Sequence, residues 1–177
     1  TLKQKAKDFC ELGLNDVFIS LDGPEEIHNQ IRGHKTSFQK AIEGINELLK
    51  HSPRPNISIF CVITEWNIGH LKEFADYFKK FPLKQLGFMH TNFTPDFIVL
   101  NHNKIYGDKY PATISNTEQI QISKMNLHTL YDEIIEIKKT HYPFEVSFSP
   151  EIKTKVDLDV FYNHPEKLVG RICNDVY

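Results

Sequence analysis

The stretch DVFISLDGPEEIHNQIRG, which runs from Asp16 to Gly33, joins an apolar segment to a group of polar residues within a few positions. Its first part, DVFISL, is typical of a short strand, and the near-continuous apolar character predicts cover on both faces, as in parallel sheets. Ser20 and Asp22 lie where this strand should end, and Asp-Gly-Pro favours a turn directly after it. These residues leave two interpretations open: a strand-end turn with solvated charges, or one wall of a binding site.

The composition of the 177-residue chain is ordinary for a globular protein, with 40% hydrophobic and 25% charged residues. A net charge of -2 at pH 7 gives no general attraction to nucleic acid or to anionic membranes. No apolar run approaches the roughly 20 residues that a membrane-spanning helix needs. The three widely spaced cysteines favour reduced thiols. We therefore expect a cytoplasmic protein with no nucleic-acid or membrane partner.

Strand and helix patterns alternate on both sides of the opening stretch. The first predicted elements are a helix at 2–12, a strand at 16–21, a helix from Ser37 to about residue 50, a strand at 56–64, a helix over about 68–78 and a strand at 84–90. Gly13 is placed to end the first helix, a Thr36–Gln39 capping box to begin the second, and Asn67 to cap the third. Crossovers of this length predict an α/β fold with a parallel sheet.

The pattern is less regular after residue 90. Residues 91–114 predict a long loop or insert, and their aromatic side chains argue against disorder. A capping box at Ser115 and Glu118 predicts a long helix to about Thr140, and PFEVSF, residues 143–148, predicts a fourth strand. We therefore expect one folded unit over residues 1–148, followed by a tail at 149–177.

Polar side chains mark the ends of three predicted strands. Ser20 and Asp22 end the first strand, Thr64 and Asn67 follow the second, and His90 ends the third. Because parallel strands place their carboxyl ends on one rim, where α/β proteins bind ligands, these side chains are candidates for a single site. Polar turn chemistry explains most of them equally well. A hydroxyl inside the apolar run of the first strand is harder to explain, since a buried hydroxyl needs a partner.

Other catalytic patterns are missing from the sequence. It contains no His-Glu-x-x-His, no glycine-rich phosphate loop and no Gly-x-Ser-x-Gly elbow. The residues by themselves therefore indicate a rim site without a complete set of acid, base and nucleophile.

A longer motif string gives the rim a specific interpretation. In order, the chain contains SLDG, a histidine, IRG, SF and AIEGI, and then ITEWN at the end of the second predicted strand. This string resembles the middle of radical S-adenosylmethionine (SAM) enzymes. It is most similar to the branch with C-terminal SPASM or auxiliary-cluster regions, such as anaerobic sulfatase-maturating and peptide-modifying enzymes. The resemblance covers about residues 1–90 well and the remainder loosely.

The resemblance implies the C-terminal half of a partial, TIM-like (βα)6 barrel that is open on one side. It also implies an iron–sulfur oxidoreductase: a 4Fe–4S cluster binds SAM, and reductive cleavage gives a 5′-deoxyadenosyl radical that abstracts hydrogen from a substrate. The implied partners are SAM, a peptide or protein substrate, and a reductant such as flavodoxin or ferredoxin.

Individual residues match the family pattern at the rim. Ser20 and Asp22 match the strand end that faces the ribose and the methionyl part of SAM. Arg32 matches the arginine suited to pairing with the SAM carboxylate. Thr64 and Asn67 match the next strand end, near the ribose or adenine.

Two further residues match by position. His90 would occupy the following rim position. Cys173 lies about where the first cysteine of an auxiliary cluster follows the barrel, so the resemblance makes it a candidate metal ligand.

The chain departs from the family in one large respect: it contains no Cys-x3-Cys-x2-Cys motif. The family places that motif well before SLDG. We therefore expect a fragment that lacks the first three βα units and the cluster ligands and is inactive alone. Two alternatives stay open, namely a non-catalytic, barrel-derived binding module and an ordinary α/β half-barrel enzyme with a different rim ligand.

Overall fold

A four-stranded parallel sheet organises the computed structural model, which describes residues 1–91, 96–112, 121–164 and 167. The strands are β1 (Asp16–Ser20), β2 (Asn56–Ile63), β3 (Gln85–His90) and β4 (Glu145–Ser149). They lie side by side in the order β1-β2-β3-β4, and each neighbouring pair is parallel. The α/β class and the parallel sheet predicted from the sequence are therefore confirmed, and the sheet is compatible with part of a (βα) barrel.

Helices precede, connect and follow the strands. They are α1 (Leu2–Glu11), α2 (Glu25–Ile31), α3 (Ser37–Leu48), α4 (Leu71–Tyr77), α5 (Asp96–Tyr106), α6 (Leu127–Lys139) and α7 (Lys155–Asn163). Gly13 follows α1 with φ +69°, which confirms its predicted role at the helix end. Among the described residues, no helix is long and apolar enough to cross a membrane.

The core lies on one face of the sheet. Because side chains alternate along a strand, Ile57, Ile59, Cys61 and Ile63 of β2 all point to this face, where each is at most 1% exposed. Helices α1, α3, α4, α6 and α7 contribute buried side chains to the same cluster. Burial of this apolar stripe against the sheet holds the helices in place.

The opposite face of the sheet carries exposed apolar side chains. Phe18 of β1 is 66% exposed and Met89 of β3 is 37% exposed. Phe60 of β2 lies on the same face, paired with Ser20 of β1 and Gly87 of β3. Its ring centroid is 5.6 Å from that of Phe18. A Cβ on Gly87 would lie 2.6 Å from the Phe60 ring, so glycine makes room for it. The prediction that β1 is covered on both faces is therefore wrong for the described residues, because their helices pack on one face.

Several predicted boundaries need correction. The segment 91–114 is not wholly a loop, because α5 forms within it although none of its residues is buried. Thr36 begins α3 as predicted, but its side chain makes no capping hydrogen bond. Asn126 caps α6 through Thr129 N–H, and the proposed Ser115–Glu118 box lies outside the described residues. The predicted tail contains α7, whose apolar side chains join the core.

Candidate binding site at the carboxyl rim

The turn after β1 forms the centre of the rim. Leu21 is fully buried, and its N–H donates to the carbonyl oxygen of Phe60. Gly23 then adopts φ +138°, a conformation that side chains rarely adopt, and a Cβ there would lie 3.2 Å from Ile27. This turn leaves Asp22 only 4% exposed, between the end of β1 and the start of α2.

Asp22 and Arg32 form an ion pair across the ends of α2. The Arg32 Nε lies 2.7 Å from Asp22 Oδ2, with 43% of the arginine side chain exposed and 5% of the aspartate. Oδ2 is buried and has no aligned hydrogen bond. The two terminal guanidinium nitrogens of Arg32 make no hydrogen bond to any described residue. The aspartate therefore orients the arginine and leaves its planar outer edge open for an anion.

His28 is a third member of this cluster, and the sequence analysis assigned it no role. The ring is 2% exposed, with Nδ1 3.0 Å from the Asp22 backbone nitrogen and Nε2 3.1 Å from the Ser37 hydroxyl oxygen. Burial lowers the pKa of His28 from 6.5, and Arg32 lowers it further, whereas the Asp22 charge raises it. The signal in the sequence was the histidine between SLDG and IRG.

Asn67 joins the second strand end to the first. Its side-chain oxygen accepts from Thr64 N–H at 2.8 Å, and its amide nitrogen donates to the carbonyl oxygens of Asp22 and Val62 at 2.9 and 2.7 Å. The residue is fully buried. The predicted capping role is wrong, because α4 begins at Leu71 after His70, and the Asn67 side chain is engaged at the rim.

Ser20 and Thr64 present hydroxyl groups in different environments. Ser20 is exposed, on the same face of the sheet as Phe18, so the expectation of a buried hydroxyl there is wrong. The Thr64 hydroxyl oxygen is buried and has no hydrogen-bond partner among the described residues. A ligand with a hydroxyl group could satisfy the Thr64 hydroxyl, which lacks a partner, whereas Asp22 Oδ2 already faces Arg32 Nε.

His90 lies on the helical side of the sheet. It is 2% exposed, its Nδ1 lies 2.9 Å from the Tyr162 hydroxyl oxygen, and its ring packs against Phe161. The structure therefore brings Ser20, Asp22, Arg32, Thr64 and Asn67 to one rim and turns His90 towards α7. Cys173 lies outside the described residues.

Glu133 of α6 supports the loop that carries Thr64 and Asn67. Its carboxylate is 8% exposed and accepts from the N–H groups of Gly69 at 2.7 Å and Leu71 at 2.8 Å, so it caps α4 from a distant helix. Burial raises the pKa of Glu133, and the backbone hydrogen bonds partly oppose this rise. The sequence pattern gave no signal for this contact, because the partners lie more than sixty residues apart.

The donor set at the rim fits SAM better than it fits an iron–sulfur cluster. Within the described ranges, no group of three or more His, Cys, Asp or Glu side chains could hold a metal ion. Of the two described cysteines, Cys61 is fully buried and burial raises the pKa of its thiol. The rim instead combines an arginine with an open guanidinium edge, a hydroxyl without a partner at Thr64 and exposed apolar side chains, which suits a zwitterion with a sugar and an aromatic base.

Comparison with known proteins finds similarity over part of the chain. The chain is 36% identical over 67 residues to the serine-type anaerobic sulfatase-maturating enzyme of Bacteroides thetaiotaomicron. This chain resembles part of a sulfatase-maturating enzyme. The matched segment covers 36% of this chain and 16% of that enzyme's length, and no family model matches the chain. Anaerobic sulfatase-maturating enzymes are one of the groups that the SLDG…IRG string resembles, so the two comparisons agree.

Proposed function

We propose that this chain is the later part of a radical SAM oxidoreductase and that its carboxyl rim binds SAM. The partial similarity to a sulfatase-maturating enzyme and the ordered motif string support the family. The parallel four-stranded sheet is compatible with part of a (βα) barrel, whose ligands bind at this rim. Beside a reduced 4Fe–4S cluster held by residues outside the described ranges, bound SAM would supply radical chemistry: one-electron cleavage to methionine and a 5′-deoxyadenosyl radical for hydrogen abstraction from a substrate.

The Asp22–Arg32 pair is the observation that carries the proposal. The pair holds the guanidinium through Nε, so the two terminal nitrogens can form parallel hydrogen bonds to the SAM carboxylate. Ser20 and Thr64 provide hydroxyl groups for the ribose. Phe18 and Met89 offer apolar surface on the same side of the sheet. These residues bind and orient the cofactor.

The remaining rim residues support this surface and do not contact the cofactor in this proposal. Asn67 fixes the carbonyl of Asp22 relative to the loop after β2, and its own polar atoms are already hydrogen-bonded. His90 lies against Tyr162, so in this proposal it supports the end of β3. The cluster ligands, including any contribution from Cys173, would come from outside the described residues. A peptide or protein substrate and a flavodoxin or ferredoxin reductant belong to the same proposal.

The test uses the complete gene product that contains this chain, reconstituted anaerobically with iron and sulfide. Iron–sulfur absorbance, SAM affinity and formation of 5′-deoxyadenosine are measured for the wild type, Arg32→Ala, Asp22→Asn and a control, Arg54→Ala. Arg54 is an exposed arginine just before β2, at the opposite end of the sheet. Arg32→Ala should weaken SAM binding about tenfold or more, the equivalent of a charge-assisted hydrogen bond, with cluster absorbance unchanged.

Three outcomes would count against the proposal. Unchanged SAM affinity in both Arg32→Ala and Asp22→Asn would remove the rim from the cofactor site. Absence of iron–sulfur absorbance and of a three-cysteine motif in the complete product would favour the non-catalytic binding module. A ligand other than SAM bound at Arg32 would favour an α/β enzyme of a different type.

A further inference from the structure

The hydrogen bonds of His28 fix its protonation state. The backbone N–H of Asp22 can only donate, so Nδ1 of His28, 3.0 Å away, must accept and carry no proton. The proton of the neutral ring then lies on Nε2, which donates to the Ser37 hydroxyl oxygen at 3.1 Å. This assignment follows from the partners of each nitrogen. The folded rim therefore holds a neutral histidine in the Nε2–H tautomer.

Asp22 lies between this histidine and the arginine. Its Oδ2 is 2.7 Å from Arg32 Nε and 3.6 Å from His28 Nδ1. A neutral His28 presents only a lone pair on that side, so it does not compete for the carboxylate. A protonated His28 would carry a hydrogen on Nδ1, lose the bond from Asp22 N–H and find Oδ2 as the nearest acceptor.

The surroundings of His28 determine how it responds to pH. The charged groups that face it are Asp22, on the turn after β1, and Arg32, at the end of its own helix. From α3 it meets Ser37 and the ring of Phe38, neither of which titrates near neutral pH. Burial and Arg32 lower the pKa of His28, so protonation takes place below the ordinary value of 6.5 and costs stability there.

We propose that His28 is a positioning residue for the anion site of Arg32: its neutral tautomer reserves the Asp22 carboxylate for Arg32, and its protonation draws that carboxylate away. The part of this inference that concerns SAM rests on the function proposed above. Arg32 is oriented only while it is paired with Asp22. When acidification breaks this pair, the exposed Arg32 side chain no longer has a fixed orientation. Anion binding at the rim should then weaken as the pH falls through the pKa of His28.

The first test needs no ligand. Nitrogen-15 NMR of the full chain, with His28→Asn to assign the ring, should show an unprotonated Nδ1, a protonated Nε2 and a pKa below that of a free histidine. The Arg32 Nε–H resonance should shift with the same midpoint in the wild type and stay constant in His28→Asn, whose side-chain oxygen can accept from Asp22 N–H but cannot titrate. An Nδ1–H tautomer, or an Arg32 signal that is insensitive to His28, would overturn the proposal.

The second test measures SAM affinity of the complete gene product between pH 5 and 8. The wild type should lose about fivefold in affinity on protonation, the equivalent of one hydrogen bond, and His28→Asn should show a flat profile. His34→Asn, at an exposed histidine beyond Arg32, should behave like the wild type. Equal pH profiles in the wild type and His28→Asn would overturn the proposal. Absence of SAM binding at every pH would refute the proposed function, and the Arg32 resonance would still decide the role of His28.

Discussion

The side-chain amide of Asn67 donates to the carbonyl oxygen of Asp22 at 2.9 Å, across 45 residues of sequence. The same side chain accepts from Thr64 N–H and donates to the carbonyl oxygen of Val62. One buried residue therefore fixes the turn after β1 relative to the loop after β2. The rim is built as a unit from two strand ends, and the position of Asp22 depends on a residue outside its own segment.

Asn67→Ala should lower the free energy of unfolding by about 3 kcal/mol, because it leaves buried backbone groups at Asp22, Val62 and Thr64 without partners. Urea denaturation would measure the change. Asn101→Ala, at an exposed position of α5, is the control and should have little effect. A loss as small as that of the control would show that Asn67 does not hold the rim together.

Glu133→Ala should destabilise the protein by about 2 kcal/mol, since it uncaps α4 and leaves Gly69 and Leu71 N–H groups unsatisfied. Thermal unfolding and amide hydrogen exchange at Leu71 would measure the effect. Glu136→Ala tests the same helix at an exposed position and should be close to neutral. Equal effects of the two substitutions would argue against a capping role for Glu133.

Glu133 also gives a pH dependence of opposite sign to that of most carboxylates. Because burial raises its pKa above 4.5 in the folded state, the folded protein binds the proton more tightly than the unfolded chain does. Its contribution to stability is therefore largest below pH 4.5 and falls as the pH rises through the folded pKa. Urea unfolding curves measured at a series of pH values should show that Glu133→Gln removes this decline in the free energy of unfolding. A decline of the same size in Glu133→Gln would assign it to another group.

Gly44→Ala should destabilise the contact between α1 and α3 by about 1–3 kcal/mol, because the new Cβ would lie 2.7 Å from Cβ and Cγ of Leu2. Urea denaturation of the double variant Leu2→Gly/Gly44→Ala gives a direct check, since Leu2→Gly removes the side-chain carbons that the added methyl group would meet. Gly44→Ala should therefore cost much less in the Leu2→Gly background. Equal costs in both backgrounds would mean that the methyl group clashes elsewhere.

Asp76 should control part of the acid sensitivity of the fold. Burial raises the pKa of its carboxyl, but three hydrogen-bond donors outweigh burial and lower this pKa from 3.8 to about 2: Lys72, Lys79 and Tyr142. Stability from Asp76 is thus present above pH 3.8 and is lost as the pH falls through about 2. The free energy of unfolding should fall less between pH 3.8 and about 2 in Asp76→Asn than in an exposed control, Asp108→Asn. Parallel curves for the two variants would remove Asp76 from the acid response.

The sequence predicted the elements whose apolar period is strong. All four strands lie within a few residues of their expected positions, and α3 begins at Ser37 as expected. The period could not reveal α5, because none of its residues is buried and its apolar side chains follow no single face. The prediction that both faces of β1 are buried is wrong for a related reason. An apolar strand pattern indicates which side chains could be buried, but it does not indicate whether a helix packs on each face.

At the rim, the sequence by itself determined which residue types follow each strand end and, through parallel pairing, that they share one edge of the sheet. Only the tertiary structure decided which of them stay exposed and which are held by neighbouring groups. Arg32 remains available at the surface of the rim, whereas Asp22, Asn67 and His90 are engaged with neighbouring groups. The order of residues along the chain determines how side chains alternate along a strand and how apolar residues repeat along a helix, and both patterns are local. The partners of Asn67, Glu133 and His90 come from distant segments, and the packing of the helices on the sheet alone brings them together.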